Sequence, residues 1–200
     1  MNILLASTNK GKIVEMKAVL SDLPFTLMTL DDLQKKIPAP EETGTTFEEN
    51  AIQKAKYYFE RSKIPTIAED SGIIVEALKD KLGIHTRRWG KGSAVSDEEW
   101  VAYFLEQMKS EKNKRAAFVC CAAFVDGNGI VETFEGRCDG VITESIEAPY
   151  LPGLPIAGCF KPDGHSSVYA GLKIEQKNST SHRGKAMDAL KKYLQKEKFV

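Results

Sequence analysis

Glu69 and Asp70 stand side by side in the stretch "PTIAEDSGIIVEA", between two apolar segments, 64–68 and 73–75. Two adjacent carboxylates at the end of a buried strand are costly to take out of water, so something must be gained by keeping them there. Glu41 or Glu42, in a Pro/Gly-punctuated loop over 38–44, joins Glu69 and Asp70 as a source of hard oxygen ligands. Such a set suits Mg²⁺, which ordinarily takes one or two protein carboxylates plus substrate phosphates and waters. As a lone tetrapeptide, "EDSG" reads instead as a capped turn in which Asp70 bonds the backbone ahead of Gly72. What tips the reading toward a metal-and-phosphate site is the set of basic groups elsewhere in the chain.

"ASTNKGK", residues 6–12, lies between an apolar run and a helical pattern, where free backbone N–H groups and the positive helix pole attract phosphate. It nearly spells a Walker A loop, but Ala6 replaces the first glycine and Ile13 the residue that would touch magnesium, so a standard P-loop is not the reading. Lys10 and Lys12 sit near a helix start, where cations are disfavoured by about 0.3–1 kcal/mol unless an anion joins them. Near the C-terminus, Ser181 reads as an N-cap, which puts His182 and Arg183 at the same unfavourable pole. Lys54 falls with Asn50 on the border of an apolar helical face, placed either to snorkel or to meet a phosphate.

The elements that must carry these groups follow from periodicity. Residues 2–6 read as a strand, followed by a polar turn and a helix in which Ile13, Met16, Val19 and Leu20 recur at helical spacing. A second strand spans 25–30. Thr46 and Glu49 form a T-x-x-E capping box opening a helix over 47–61, and the strand that follows ends in the Glu69–Asp70 turn. Ser96 caps a helix with an acidic first turn. Residues 116–124, 129–134 and 136–142 read as three strands of an antiparallel meander. Residues 149–164 form a Pro/Gly-dense shaped loop, and a helix from Ser181 closes the chain. Early strand–helix alternation and late hairpins predict an α/β fold with a mixed sheet and helices packed around it.

Composition bounds the rest. Two hundred residues suffice for one sizeable domain, 42% of them hydrophobic and 28% charged. With 28 basic and 28 acidic residues the net charge is zero, so nothing in the overall balance recruits nucleic acid or an anionic membrane. No apolar run reaches the length of a membrane span, and the cytoplasm is the expected location. Cys120, Cys121, Cys138 and Cys159 show no C-x-x-C pair and read as reduced core residues.

"ASTNKGK", "EETGTTFEENAIQKA", "AEDSGIIVEAL" and "NSTSHRGKA", in this order and spacing, resemble the inosine triphosphate pyrophosphatase family over nearly the whole chain. The resemblance implies cleavage of non-canonical purine nucleoside triphosphates (ITP, dITP, XTP) to monophosphate and pyrophosphate. It further implies Mg²⁺ as cofactor, a homodimer, and two α/β lobes around a long mixed sheet with the nucleotide in the cleft between them. Residues 1–200 would form the single catalytic domain. Ser7, Thr8, Asn9, Lys10, Gly11 and Lys12 would hold the triphosphate, and Lys54 would touch phosphate. Asp70 would bind metal and act on the attacking water, Glu41 or Glu42 would add a metal ligand, and Glu69 stands where many members carry a second Asp. Ser71 and Arg88 would contact substrate, although Leu82, His85 and Trp89 depart from the family's pattern around Arg88. Lys177, His182 and Arg183 would reach the base and its 6-keto oxygen.

The largest departure is in the base loop. Where relatives carry "GFGYDPIF", residues 153–160 read "GLPIAGCF", so Leu154 replaces the stacking Phe, Ala157 replaces an Asp, and Pro155 and Ile156 lie between them. Absence of an aromatic platform, worth about 1–3 kcal/mol per stacked base, would weaken or redirect base recognition while leaving the phosphate chemistry untouched. Two alternatives follow: the same chemistry on another modified or pyrimidine nucleotide, or a nucleotide-binding protein without turnover.

Overall fold

The structure, a computed structural model, describes residues 1–78, 81–92 and 94–196. Six strands form one mixed sheet in the order β2-β1-β3-β4-β5-β6. β1 (Asn2–Leu5) lies parallel to β2 (Thr26–Thr29) on one side and to β3 (Thr66–Val75) on the other. β4 (Arg115–Val125), β5 (Val131–Ile142) and the short β6 (Phe160–Pro162) continue antiparallel. Five helices pack around it: α1 (Lys10–Leu20), α2 (Phe47–Ser62), α3 (Asp97–Lys109), α4 (Ile174–Thr180) and α5 (His182–Lys196). None is long and apolar enough to cross a membrane among the described residues.

The sheet has a core on each face of its first half. Ile3, Leu5, Ile67, Cys120 and Phe124 meet Met16 and Leu20 of α1 and Met187, Leu190 and Leu194 of α5. On the other face Leu4, Ala68, Cys121 and Ala123 meet Ala51, Ala55 and Tyr58 of α2. A third cluster fills the far end, where Ile73, Val75, Ile142 and Phe160 pack with Trp100, Phe104 and Met108 of α3 and with Tyr169. β3, β4 and β5 run through both ends, which gives two lobes on one long sheet.

Two expected strand breaks are absent. Residues 69–72 form no turn: β3 passes straight through them, paired with β4 at every position from Thr66 to Val75. Full-length pairing outweighs the local turn preference of Asp, Ser and Gly. β5 likewise runs unbroken from Val131 to Ile142, joining 131–134 and 136–142 in one strand. Gly136 sits inside it because a Cβ there would fall 1.9 Å from the carbonyl oxygen of His182, where α5 begins against the sheet.

The expected caps at Thr46, Ser96 and Ser181 hold, and Asn9 caps α1 in addition. Asn9, Thr46, Ser96 and Ser181 accept the backbone N–H of Lys12, Glu49, Glu99 and Gly184 at 3.0–3.1 Å. Only half of the α2 box has the expected partner, since the Glu49 carboxylate accepts from the backbone and hydroxyl of Thr45. α4 and β6 have no counterpart among the elements expected from periodicity; β6 falls inside the expected loop.

Candidate active site

β1 ends at Leu5 and pairs with β3 only through Ile67, so the β3 edge beyond that point is open until Thr86 covers Ile73. A cleft of about 320 Å³ lies along this edge. Because successive strand residues point to opposite faces, Glu69 and Asp70 enter it from the two sides of the sheet. Each therefore meets different helices.

Asp70 faces α2. Its carboxylate accepts from Asn50 Nδ2 at 3.1 Å and from Lys54 Nζ at 3.2 Å. Lys54 also reaches Glu42 Oε1 at 2.6 Å, and the other Glu42 oxygen accepts from Arg88 at 2.9 Å. Asn50 is fully buried and its carbonyl accepts the Gly44 N–H at 2.9 Å, tying the Glu42 loop to the same helix. Burial, together with the Glu69 and Glu42 charges, raises Asp70 above its ordinary range despite Lys54 and Lys12. Burial opposes the charge on Lys54, but Asp70, Glu69 and Glu42 outweigh it and keep the lysine protonated.

Glu69 faces α1 and α5. Lys12 Nζ lies 2.6 Å from Oε1, while Arg183 and the Cys120 thiol approach Oε2 at 3.5 and 3.3 Å. Burial alone would raise this carboxyl, yet Lys12, Arg183 and Lys54 hold it well below the usual carboxylate range. Arg183, only 2% exposed, also donates to Ser71 Oγ at 2.8 Å and to Glu15. Glu15 is bound in turn by Lys177 Nζ at 2.5 Å. Burial of Glu15 is outweighed by Arg183 and Lys177, so it too stays ionised.

Sequence reasoning does not single out Glu15. Its signal is its place on the buried stripe of α1 beside Gly11, Met16 and Leu20, where a lone carboxylate requires a partner.

At the other end, Leu154, Pro155, Ile156 and Ala157 line the cleft together with Trp100, Phe118 and Tyr169, and most of them share one hydrophobic cluster. His182 stacks on Phe118, with ring centroids 4.7 Å apart and planes 14° from parallel. Burial and the Arg183 charge push its pKa well below the ordinary value, so the imidazole is neutral at neutral pH.

Ser7, Thr8, Asn9, Lys12, Glu42, Lys54, Glu69, Asp70, Ser71, Arg88, His182 and Arg183 all line this one cleft. Lys10 is exposed outside it, Gly11 is buried beneath Leu154, Glu41 points to solvent, and Lys177 reaches the cleft only through Glu15. Of the two adjacent glutamates, it is thus Glu42 that joins Asp70.

The Ham1 family pattern matches residues 3–193. The chain belongs to the Ham1 family. Its relatives include the dITP/XTP pyrophosphatase of Leptospira interrogans, 39% identical over 192 residues and 96% of both chains. That of Geobacter sulfurreducens is 38% identical over 194 residues, again 96% of both. The HAM1 protein structure from Coxiella burnetii superposes with a TM-score of 0.83 at 30% identity, covering 98% of this chain and 99% of that one. These matches agree with the resemblance carried by the four motifs.

The carboxylates fit a Ham1 enzyme that uses a hard divalent cation. Among the described residues no group of three His, Cys, Asp or Glu side chains forms a closed protein cage. Asp70 and Glu42 instead offer two hard oxygen donors beside a lysine, the pattern of a cation completed by phosphate and water. Glu69, on the opposite side of the sheet, has Lys12 at Oε1 and Arg183 and the Cys120 thiol at Oε2.

Proposed function

We propose that this chain is a Mg²⁺-dependent nucleoside triphosphate pyrophosphohydrolase acting on deaminated purine nucleotides such as ITP, dITP and XTP. The observation that carries the reading is Asp70: a buried carboxylate flanked by Lys54 and Glu42 at the open edge of β3. A carboxylate placed this way is suited to take a proton from water. Water adds to the α-phosphorus, its proton passes to Asp70, and the bond to pyrophosphate breaks. Mg²⁺, held by Asp70 and Glu42, would supply charge neutralisation on the phosphate oxygens. Lys12, Lys54 and the α1 N-terminus hold the anionic groups in place.

The base lies toward Arg183, His182 and the 153–157 loop. Arg183, fixed by Glu15 and Glu69, presents donors to a 6-keto oxygen. An adenine amino group there would leave those buried donors unpaired, the kind of mismatch that gives strong discrimination. Leu154 offers the base no aromatic face, and Trp100, Phe118 and Tyr169 supply apolar walls in its place.

A panel of nucleoside triphosphates with product analysis tests this. ITP, dITP and XTP are expected to yield monophosphate and pyrophosphate with Mg²⁺ at least 100-fold faster than ATP, a discrimination within reach of polar readout. Faster turnover of dUTP or a modified pyrimidine would move the substrate class, and release of orthophosphate would contradict the chemistry. The resemblance also supports a cytoplasmic homodimer, which sedimentation of the purified chain would check.

A further inference from the structure

Gly153 opens the base loop and is gripped from both sides. Its N–H donates to Asp97 Oδ2 at 2.5 Å, and its carbonyl accepts from Asn9 Nδ2 at 3.0 Å. Its φ of +78° is a conformation that favours glycine, and a Cβ there would fall 2.5 Å from Asn9 Nδ2. Asn9 in turn caps α1 through the Lys12 N–H, so one chain of bonds joins the α3 N-terminus, the base loop and the phosphate end of the cleft.

An acid at the start of α3 has an ordinary explanation in the helix dipole. Ser96, Glu98 and Glu99 already supply the cap and the negative charge, however. Asp97 turns away to Gly153 and to Arg87, 3.8 Å distant, whose guanidinium is braced on the carbonyls of Gly92 and Val95.

We propose that Asp97 is a positioning residue: through the Gly153 backbone it fixes the base loop relative to the phosphate cradle and so sets nucleotide affinity without touching the reacting atoms. The inference rests on the nucleotide reading above. Leu154, the next residue, packs on the first turn of α1, so a shift at Gly153 moves the wall that faces the base. The groups that hold phosphate keep their own anchors in α1, α2 and β3.

The test compares wild type, Asp97→Ala, Asp97→Asn and the neighbouring control Glu98→Ala. The readouts are ITP kinetics, inhibition by inorganic pyrophosphate, and amide exchange over 151–157. Asp97→Ala is expected to raise KM for ITP about tenfold, the size of one hydrogen bond to a charged acceptor, with kcat changed less than about threefold. Pyrophosphate inhibition stays within about twofold, as expected when the phosphate end is unaltered. Exchange at 151–157 quickens, Asp97→Asn recovers most of the KM, and Glu98→Ala matches wild type. Unchanged exchange in Asp97→Ala overturns the clamp whatever the substrate, and parallel weakening of ITP and pyrophosphate binding overturns the positioning role. A wild type inactive on ITP but with exchange quickened by Asp97→Ala leaves the clamp standing and removes the substrate reading.

Discussion

Glu69 and Asp70 are sequence neighbours whose pKa values shift in opposite directions. Glu69 is kept ionised by Lys12 and Arg183, whereas burial raises the pKa of Asp70. The same logic governs Glu15, whose carboxylate binds both Lys177 and Arg183. Removing one partner of a buried ion pair leaves an uncompensated charge, so Glu15→Ala is expected to lower stability by about 3–5 kcal/mol in urea unfolding. Glu15 has a folded pKa below its unfolded one, so its contribution is present above the ordinary carboxyl range and lost as pH falls through the folded value. Glu15→Gln should therefore show a flatter acid limb than wild type. Most of these residues were legible because a cation at a helix start is an anomaly that a sequence displays directly. Glu15 was not, because pairing across 168 residues leaves no local mark.

At the scale of elements, helix starts were readable and the interruptions of strands were not. Thr46, Ser96 and Ser181 act locally, through bonds to the first turn, so sequence alone locates them. "EDSG" and Gly136 carry turn chemistry, but long-range pairing keeps β3 and β5 straight, and no local pattern encodes that. Gly136→Ala is the corresponding test. It places a methyl group against the start of α5 and should cost about 1–3 kcal/mol or more in urea unfolding, with loss of ITP turnover as His182 and Arg183 shift. The same helix start gives a pH signature. His182 is buried neutral, so its contribution is full above the unfolded pKa of about 6.5 and declines below it. Stability should fall by up to about 1.4 kcal/mol per pH unit below that point. His182→Phe, which keeps the stack on Phe118, should remove this limb in urea unfolding followed from pH 7.5 to 5.5.

For the whole molecule, the long sheet sets two lobes around an open strand edge, and bonds bridge the cleft at both ends. Arg88–Glu42 crosses at the Asp70 end and Asn9–Gly153 at the 153–157 loop. Ligand binding across such a cleft stabilises the fold by about 2.7 kcal/mol at a hundredfold excess over Kd. The overall architecture was legible in the order of strands and helices, because hydrophobic periodicity records which faces are buried. The 153–157 end of the cleft was less so, since the aromatic residues Trp100, Phe118 and Tyr169 that line it come from three distant segments. The measurement that tests the account most directly is pyrophosphate release from ITP by wild type and by Asp70→Asn, with Mg²⁺ and with chelator. Release by wild type only with the metal is expected, with Asp70→Asn slower by at least about 100-fold, the low end for loss of a general base. Equal turnover by Asp70→Asn, or turnover by wild type indifferent to chelator, would contradict it.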